Sequence, residues 1–349
     1  MMEYLLKKMW SRLSPERLFW KHRVLDWSEK KMIPFSLAPP RLVYIELASV
    51  CNLKCPVCPT GTKTHQRGDE FIKPDLFRKI VDNLGPFHPY GTFQIWGESL
   101  LHPEVSNLIR YAKDHGFLDI TINTNGNINK PYSWFKELVA SGIDDLIVAV
   151  DGSDQKSYEA YRRAGSLDNV LRFFAMICQA KQEANSSLPR ISPLMVVNRF
   201  NVEQEEQIRQ LLAPFDVAPL RKRNFNIFNM HENIPAEVYL DYLPNPADSR
   251  FEKTPQGGLT VRSLVSSPQR LACYGLWQYL HISVNGHYLP CCSAWENEPA
   301  MGTLNEMMPI DFWFSKTMTN YRKRNLDDPL SIPLCQRCVY IKRNRGISV

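Results

Sequence analysis

From Arg41 onward the apolar positions fall into short unbroken runs that take turns with longer stretches of helical period. Residues 42–47 read as a strand and 74–84 as a helix, followed by a strand over 92–96 and a helix over 103–115 that Gly116 closes as a C-cap. A strand over 118–123 runs into Asn125-Gly126, and the helix over 132–141 stops at Gly142. The strand over 145–150 ends at Asp151-Gly152, and a long helix over 167–183 follows. A strand over 191–197, a helix over 202–212 and a last strand over 225–228 complete the series. Six strands thus alternate with helices at crossover lengths. Their continuous rather than alternating apolar character predicts a parallel sheet buried on both faces. Active sites in such folds lie at the C-terminal strand ends.

The flanks behave differently. Residues 1–40 carry Trp, Leu and Phe among Lys and Arg, and Tyr4, Leu5, Met9 and Leu13 suit an amphipathic helix. This extension is expected to pack on the main domain, the competing reading being contact with a membrane surface or a partner. Residues 41–230 form the main domain. Residues 231–269, rich in Pro, Asn, Ser and Gly without a clear period, read as a linker or substrate-facing loop. Residues 270–349 form a second module, with a β-hairpin over 280–289 turned by Asn285-Gly286 and a helix over 310–324.

Composition narrows the class. With 349 residues, 44% apolar and 22% charged, the chain fits a large α/β domain plus a smaller one. The excess of 42 Lys and Arg over 36 Asp and Glu is modest, and the basic runs at 221–223, 322–324 and 342–345 are short. They read as solvated faces, so no nucleic-acid partner is expected. Residues 1–10 lack the apolar core of a signal peptide, and no apolar run is long enough to span a membrane. Nine cysteines at short spacings in such a chain point to metal in a reducing cytoplasm rather than to disulfides.

The densest chemistry is the run CNLKCPVC, which sets Cys51, Cys55 and Cys58 directly after the first strand. Three thiolates on one loop can hold three irons of a [4Fe–4S] cluster and leave the fourth open to a small molecule. Zinc would ask for a fourth ligand, and His65 is the local candidate. Cys273, Cys291, Cys335 and Cys338 supply four more thiolates, enough for structural zinc or a fully ligated cluster, and spacing alone does not choose. Cys292 points away from Cys291 in an extended strand and is left out of the ligand set. Cys178, on the long helix among Phe173, Phe174 and Ile177, reads as a core thiol.

The CxxxCxxC spacing resembles the signature of the radical S-adenosylmethionine (SAM) superfamily. The resemblance implies a partial (β/α)6 barrel in which the open iron chelates the amino and carboxylate groups of SAM. An electron from the cluster, delivered by a flavodoxin or ferredoxin, then cleaves SAM to methionine and a 5′-deoxyadenosyl radical. Gln94-Ile95-Trp96-Gly97-Glu98-Ser99 resembles the family's GGEP motif for the SAM amino group, with Trp96 and Ser99 in place of its first glycine and its proline. By the same resemblance Asn125, Asp151 and Asn198 stand at strand ends that contact SAM, and Ala149 lacks a hydroxyl that relatives use. Tyr158–Gly165 is similar to a family stretch whose arginine grips the SAM carboxylate, and spacing favours Arg162 over Arg163.

The order of the second module, a cysteine, an Asn-Gly hairpin, Pro-Cys-Cys, Gly302-Thr303-Leu304-Asn305 and a final CxxC, resembles the twitch form of the SPASM domain. That resemblance implies one auxiliary [4Fe–4S] cluster on Cys273, Cys291, Cys335 and Cys338, and five cysteines are too few for two. The spacing is similar to that of the 2-deoxy-scyllo-inosamine dehydrogenase family over roughly residues 40–340. The implied function is hydrogen abstraction from a small molecule, sugar-like or aminocyclitol-like, with the auxiliary cluster accepting an electron. A peptide-modifying maturase and a non-enzymatic, metal-stabilised binding protein are the competing readings. No residue is assigned as catalytic base.

Overall fold

A computed structural model describes residues 2–12, 18–31, 33–64, 68–225, 234–245, 251–253, 259–261, 273–291, 294 and 300–337. His65, Cys292, Cys338, the end of the expected 225–228 strand and the 342–345 basic run lie outside the described residues.

The strands are β1 (Leu42–Ile45), β2 (Tyr90–Thr92), β3 (Ile120–Thr124), β4 (Asp145–Ala149), β5 (Arg190–Val197), β6 (Arg221–Asn224), β7 (Phe251–Lys253), β8 (Leu259–Val261), β9 (Tyr279–Ile282) and β10 (Tyr288–Leu289). Eight of them form one sheet in the order β10-β9-β1-β2-β3-β4-β5-β6. Every pair is parallel except the β9–β10 hairpin. The six-stranded series is the expected partial (β/α)6 barrel. The second module is not a detached appendage, because β9 pairs in parallel with β1 along Leu42–Ile45 and extends the barrel sheet.

Several expectations shift. The strands alternate in burial instead of being covered on both faces, with β3 and β1 each hiding every second residue. The cause is the hollow of the barrel: one face packs under the helices and the other looks into a cavity. The second strand ends at Thr92 rather than reaching residue 96. There the Gln94 carboxamide replaces the ladder by accepting the Asn123 amide, which frees the chain to form the cavity wall. The sixth strand lies over Arg221–Asn224, earlier than expected. It is an edge strand, where charged side chains are tolerated and blunt pairing, so its sequence carries no apolar signal. Residues 231–269, read as a linker, contain the helix Ala236–Leu240 and the antiparallel β7–β8 pair. The helix expected over 310–324 is two, Pro309–Phe314 and Lys316–Asp327, broken at Ser315, whose hydroxyl caps the second by accepting the Met318 amide at 3.2 Å.

Arg322 corrects the reading of its basic run as a solvated face. It is fully buried, donates to the carbonyls of Leu276 (2.8 Å) and Trp313 (3.2 Å), and stacks over the Trp313 ring at 4.4 Å. Desolvation pulls its pKa down to about 9. Cys178 is half-buried at the core's edge, its thiol donating to the Asp216 carbonyl at 3.6 Å.

The N-terminal extension packs as expected, through α1 (Met2–Trp10) and α2 (Leu18–Lys30). Buried Lys21 reaches the carbonyls of Phe87 (2.8 Å) and His88 (3.2 Å). The indoles of Trp10, Trp277 and Trp313 donate to the carbonyls of Leu37, Ile33 and Ala38, tying the strap to the barrel and to the second module. Among the described residues no helix is long and apolar enough to cross a membrane.

One buried group gives a pH prediction. His281 on β9 stacks on Tyr44 at 4.4 Å, and neither ring nitrogen has a hydrogen-bond partner among the described residues. Burial lowers its pKa from 6.5 to about 3. The unfolded chain therefore takes up this proton first, and stability falls as pH drops from 6.5 toward 3. Between pH 6.5 and 5 the loss from this residue is about 2 kcal/mol. The His281→Phe variant is expected to lose less of its urea midpoint than the wild type between pH 8 and 5; parallel losses would contradict this.

Candidate active site

The cysteine loop leaves the C-terminal end of β1 and is held by its own backbone. The Cys58 amide donates to the Cys55 carbonyl at 3.2 Å, and Cys58 opens the one-turn helix Pro59–Thr62. Gly61 allows this turn, since a Cβ there would stand 2.5 Å from the Cys55 nitrogen. Cys51, Cys55 and Cys58 face a single cavity of about 350 Å³. Gly97, Glu98, Asn125 and Arg162 line the same cavity, so strand ends far apart in sequence converge on the three sulfurs.

Two donors aim at those sulfurs. Asn125 Nδ2 lies 3.7 Å from Cys51 Sγ, and Arg162 Nη1 lies 3.9 Å from Cys55 Sγ. Burial, reinforced by the Glu98 carboxylate, pushes the Cys51 thiol up to about 12, and burial pushes Cys55 up to about 11 against the pull of Arg162. Without metal both stay protonated at neutral pH, whereas a coordinating cation deprotonates them. Among the described residues no three His, Cys, Asp or Glu side chains converge as ligands of a single metal ion. A four-iron cluster asks for thiolates spread around a larger body, and N–H donors to sulfur suit it. Soft sulfur ligands, a roomy cavity and those donors fit such a cluster.

The remaining candidates divide. The Glu98 carboxylate accepts the Asn125 amide at 2.8 Å and the Leu100 amide at 3.2 Å, stapling the ends of β2 and β3, and burial raises its pKa. Asp151 is fully buried behind Arg162, accepting its Nε at 2.5 Å and the Val196 amide at 2.6 Å. Arg163 is exposed and points to the Tyr242 hydroxyl at 3.5 Å, so geometry separates the two arginines. Asn198 is buried, but its side chain folds back on Val196 and Phe200 and stays out of the cavity wall.

Gly97 is where the wall meets the cysteine loop. A Cβ there would lie 2.0 Å from the Ala48 carbonyl oxygen and 2.7 Å from that of Val50. The Gly97→Ala variant is expected to lose about 1–3 kcal/mol of stability, read as a lower urea midpoint; an unchanged midpoint would mean that this approach is not close.

Other site residues carried weaker sequence signals. Glu46 is a lone acid in an apolar strand, which burial makes costly unless paired. Its carboxylate accepts the Trp96 amide (3.3 Å) and the Val284 amide (3.1 Å), joining β1, the cavity wall and the C-terminal hairpin. Asn52 accepts from Asn125 Nδ2 at 2.9 Å, and Asn127 donates to the Tyr158 hydroxyl at 2.7 Å.

In the second module Cys273, Cys291 and Cys335 pack in one small cluster with Ala294, Ile332 and Leu334. Buried Asn325 bridges two of them, accepting the Cys273 amide at 2.8 Å and donating to Cys335 Sγ at 3.5 Å. Trp96 Nε1 donates to the Ala294 carbonyl at 3.2 Å, so one indole connects the two cysteine groups.

A family model for the radical SAM superfamily matches residues 45–212, the stretch that builds this cavity. Residues 45–212 form a radical SAM domain. A second model, for the SPASM iron–sulfur cluster-binding domain, matches residues 273–339. This radical SAM chain is 28% identical over 118 residues to 7,8-dihydro-6-hydroxymethylpterin dimethyltransferase of Methanocaldococcus jannaschii, covering 34% of this chain and 23% of that one. The chain spans about half or less of the length of the curated relatives it matches, from 23% of this one to 49% of others. Its fold is similar to that of BtrN in complex with AdoMet and 2-DOIA, with a TM-score of 0.52, 17% identity and coverage of 86% and 93%. It is likewise similar to anSMEcpe with bound AdoMet, with a TM-score of 0.57, 17% identity and 88% of each chain covered. The cofactors of this radical SAM chain are SAM and iron–sulfur clusters.

Proposed function

We propose that the chain abstracts hydrogen from a small-molecule substrate, sugar-like or aminocyclitol-like, and completes its oxidation with one auxiliary [4Fe–4S] cluster as electron acceptor. The observation that carries this reading is the cavity itself, where three cysteines, Asn125 and the Asp151–Arg162 pair meet beside a second cysteine group one indole away. When bound, the first cluster and SAM supply a carbon radical strong enough to break an unactivated C–H bond. The protein supplies position and shelter.

Cys51, Cys55 and Cys58 hold the first cluster, and Asn125 and Arg162 donate N–H groups to two of its sulfur ligands. Arg162, oriented by Asp151, grips the SAM carboxylate, while the backbone at Gly97 and Glu98 receives the amino group. Cys273, Cys291, Cys335 and Cys338 hold the auxiliary cluster, with Asn325 fixing the loop of the first and the sulfur of the third. Arg223, on the inner face of β6, lines the cavity without an ion pair among the described residues and offers a cation to the substrate. A flavodoxin or ferredoxin supplies the reducing electron.

The BtrN structure is a complex with AdoMet and 2-DOIA, which supports the small-molecule reading. A structure of anSMEcpe holds AdoMet and a peptide, which is the ground for the competing maturase reading. The test is the Cys335→Ala variant under anaerobic reduction with SAM and an aminocyclitol. Deoxyadenosine should persist while oxidised product falls by about tenfold or more, because the substrate electron has lost its exit. Equal loss of both would remove the acceptor role.

A further inference from the structure

Six of the ten large apolar residues most exposed on the described surface lie within the first 35 positions. On α2, Phe19 is 60% exposed, Trp20 59% and Trp27 50%. At 100° per residue these three, with Arg23, Lys30 and Lys31, fall on one side of the helix. The opposite side carries Leu18, Lys21, Leu25 and Ser28, all buried. On α1 the same holds for Leu5 (57% exposed), Lys8 and Met9 (49%), and exposed Arg12 follows in the turn after it.

The exposed side mixes indole and phenyl rings with cations. The Arg23 guanidinium sits 5.4 Å from the Phe19 ring centroid and 5.9 Å from that of Trp20. Asp26, at the edge of this face, is engaged by Arg41 at 3.0 Å and by Gln278 at 3.2 Å, so the face is positive. The burial of Lys21 against Phe87 and His88 fixes the helix with its aromatic side outward.

We infer that this face docks on an anionic membrane surface. Tryptophan and phenylalanine rings enter the boundary between headgroups and acyl chains, while arginine and lysine stems reach back to the phosphates. The mixture selects a lipid surface over a protein groove, because an apolar protein interface depletes lysine at its centre. The docking is peripheral and reversible, and it is independent of the reaction proposed above.

The test uses the full chain, anaerobically reconstituted, sedimented with vesicles of phosphatidylcholine alone or mixed with phosphatidylglycerol. Binding to the mixed vesicles, weakened by salt and nearly absent from the neutral ones, is expected. The double variant Trp20→Ser and Trp27→Ser should bind the mixed vesicles about tenfold more weakly. The triple variant Arg23→Glu, Lys30→Glu and Lys31→Glu should lose the preference for anionic lipid. Unaltered deoxyadenosine formation without vesicles checks that both variants are folded. The inference is overturned if the wild type stays in solution, binds both vesicle types alike, or is matched by the folded variants. A wild type that ignores vesicles but self-associates through this face would show a protein contact and overturn it equally.

Discussion

Replacing Cys51, Cys55 and Cys58 together by alanine is expected to abolish 5′-deoxyadenosine formation and to halve the iron, from about eight to about four atoms per chain. These three cysteines share one loop and one cavity, while Cys273, Cys291 and Cys335 pack together elsewhere, with Asn325 holding the first and the third. The second cluster should therefore survive, with its own reduced-state paramagnetic signal. Folding should survive too, because the loop is set by backbone contacts such as the Cys58 amide on the Cys55 carbonyl. Removing the Cys51 and Cys55 thiols, whose pKa is pushed up to about 12 and about 11, leaves no charge stranded in the metal-free protein. Residual SAM cleavage in the triple variant would contradict the assignment of this loop. A variant with no iron–sulfur absorption at all would contradict the second cluster.

The Arg162→Ala variant is expected to bind SAM more weakly by about 1.5–3 kcal/mol, the range for a lost hydrogen bond to a charged group. Arg163→Ala should leave binding unchanged, since that side chain is exposed and turned toward Tyr242. Arg162→Ala also strips the buried Asp151 of its cation, so stability should drop alongside affinity. The Arg162→Lys variant separates the two effects: it retains a charge for Asp151 but lacks the fork that matches a carboxylate. Affinity for SAM should fall in both variants, measured calorimetrically on folded protein, while the urea midpoint recovers in the lysine form. Equal loss of affinity from Arg162→Ala and Arg163→Ala would mean that the wrong arginine has been assigned.

The site was legible where its chemistry is local in sequence. The cysteine spacing on one loop, the Gly97-Glu98 pair and the Asp151-Gly152 strand end are short words that survive without knowledge of the fold. The sixth strand was not, because Arg221-Lys222-Arg223-Asn224 pairs through its backbone at a sheet edge and has no apolar face to show. The end of β2 was displaced because Gln94 takes over a ladder bond with its side chain, which periodicity cannot register. Arg322 looked like surface because charge is read one residue at a time, whereas its burial depends on carbonyls of Leu276 and Trp313 that only folding brings near. The pairing of β9 with β1 was hidden for a related reason: the partners are separated by most of the chain, and nothing in either strand names the other.

The most direct measurement is a single anaerobic incubation of the reduced, reconstituted chain with SAM, followed by separation of the nucleoside and amino-acid products. Equal amounts of 5′-deoxyadenosine and methionine are predicted, as reductive cleavage in the Cys51–Cys55–Cys58 cavity requires. SAM recovered intact beside a fully reduced cluster, or converted only to S-adenosylhomocysteine, would contradict the account.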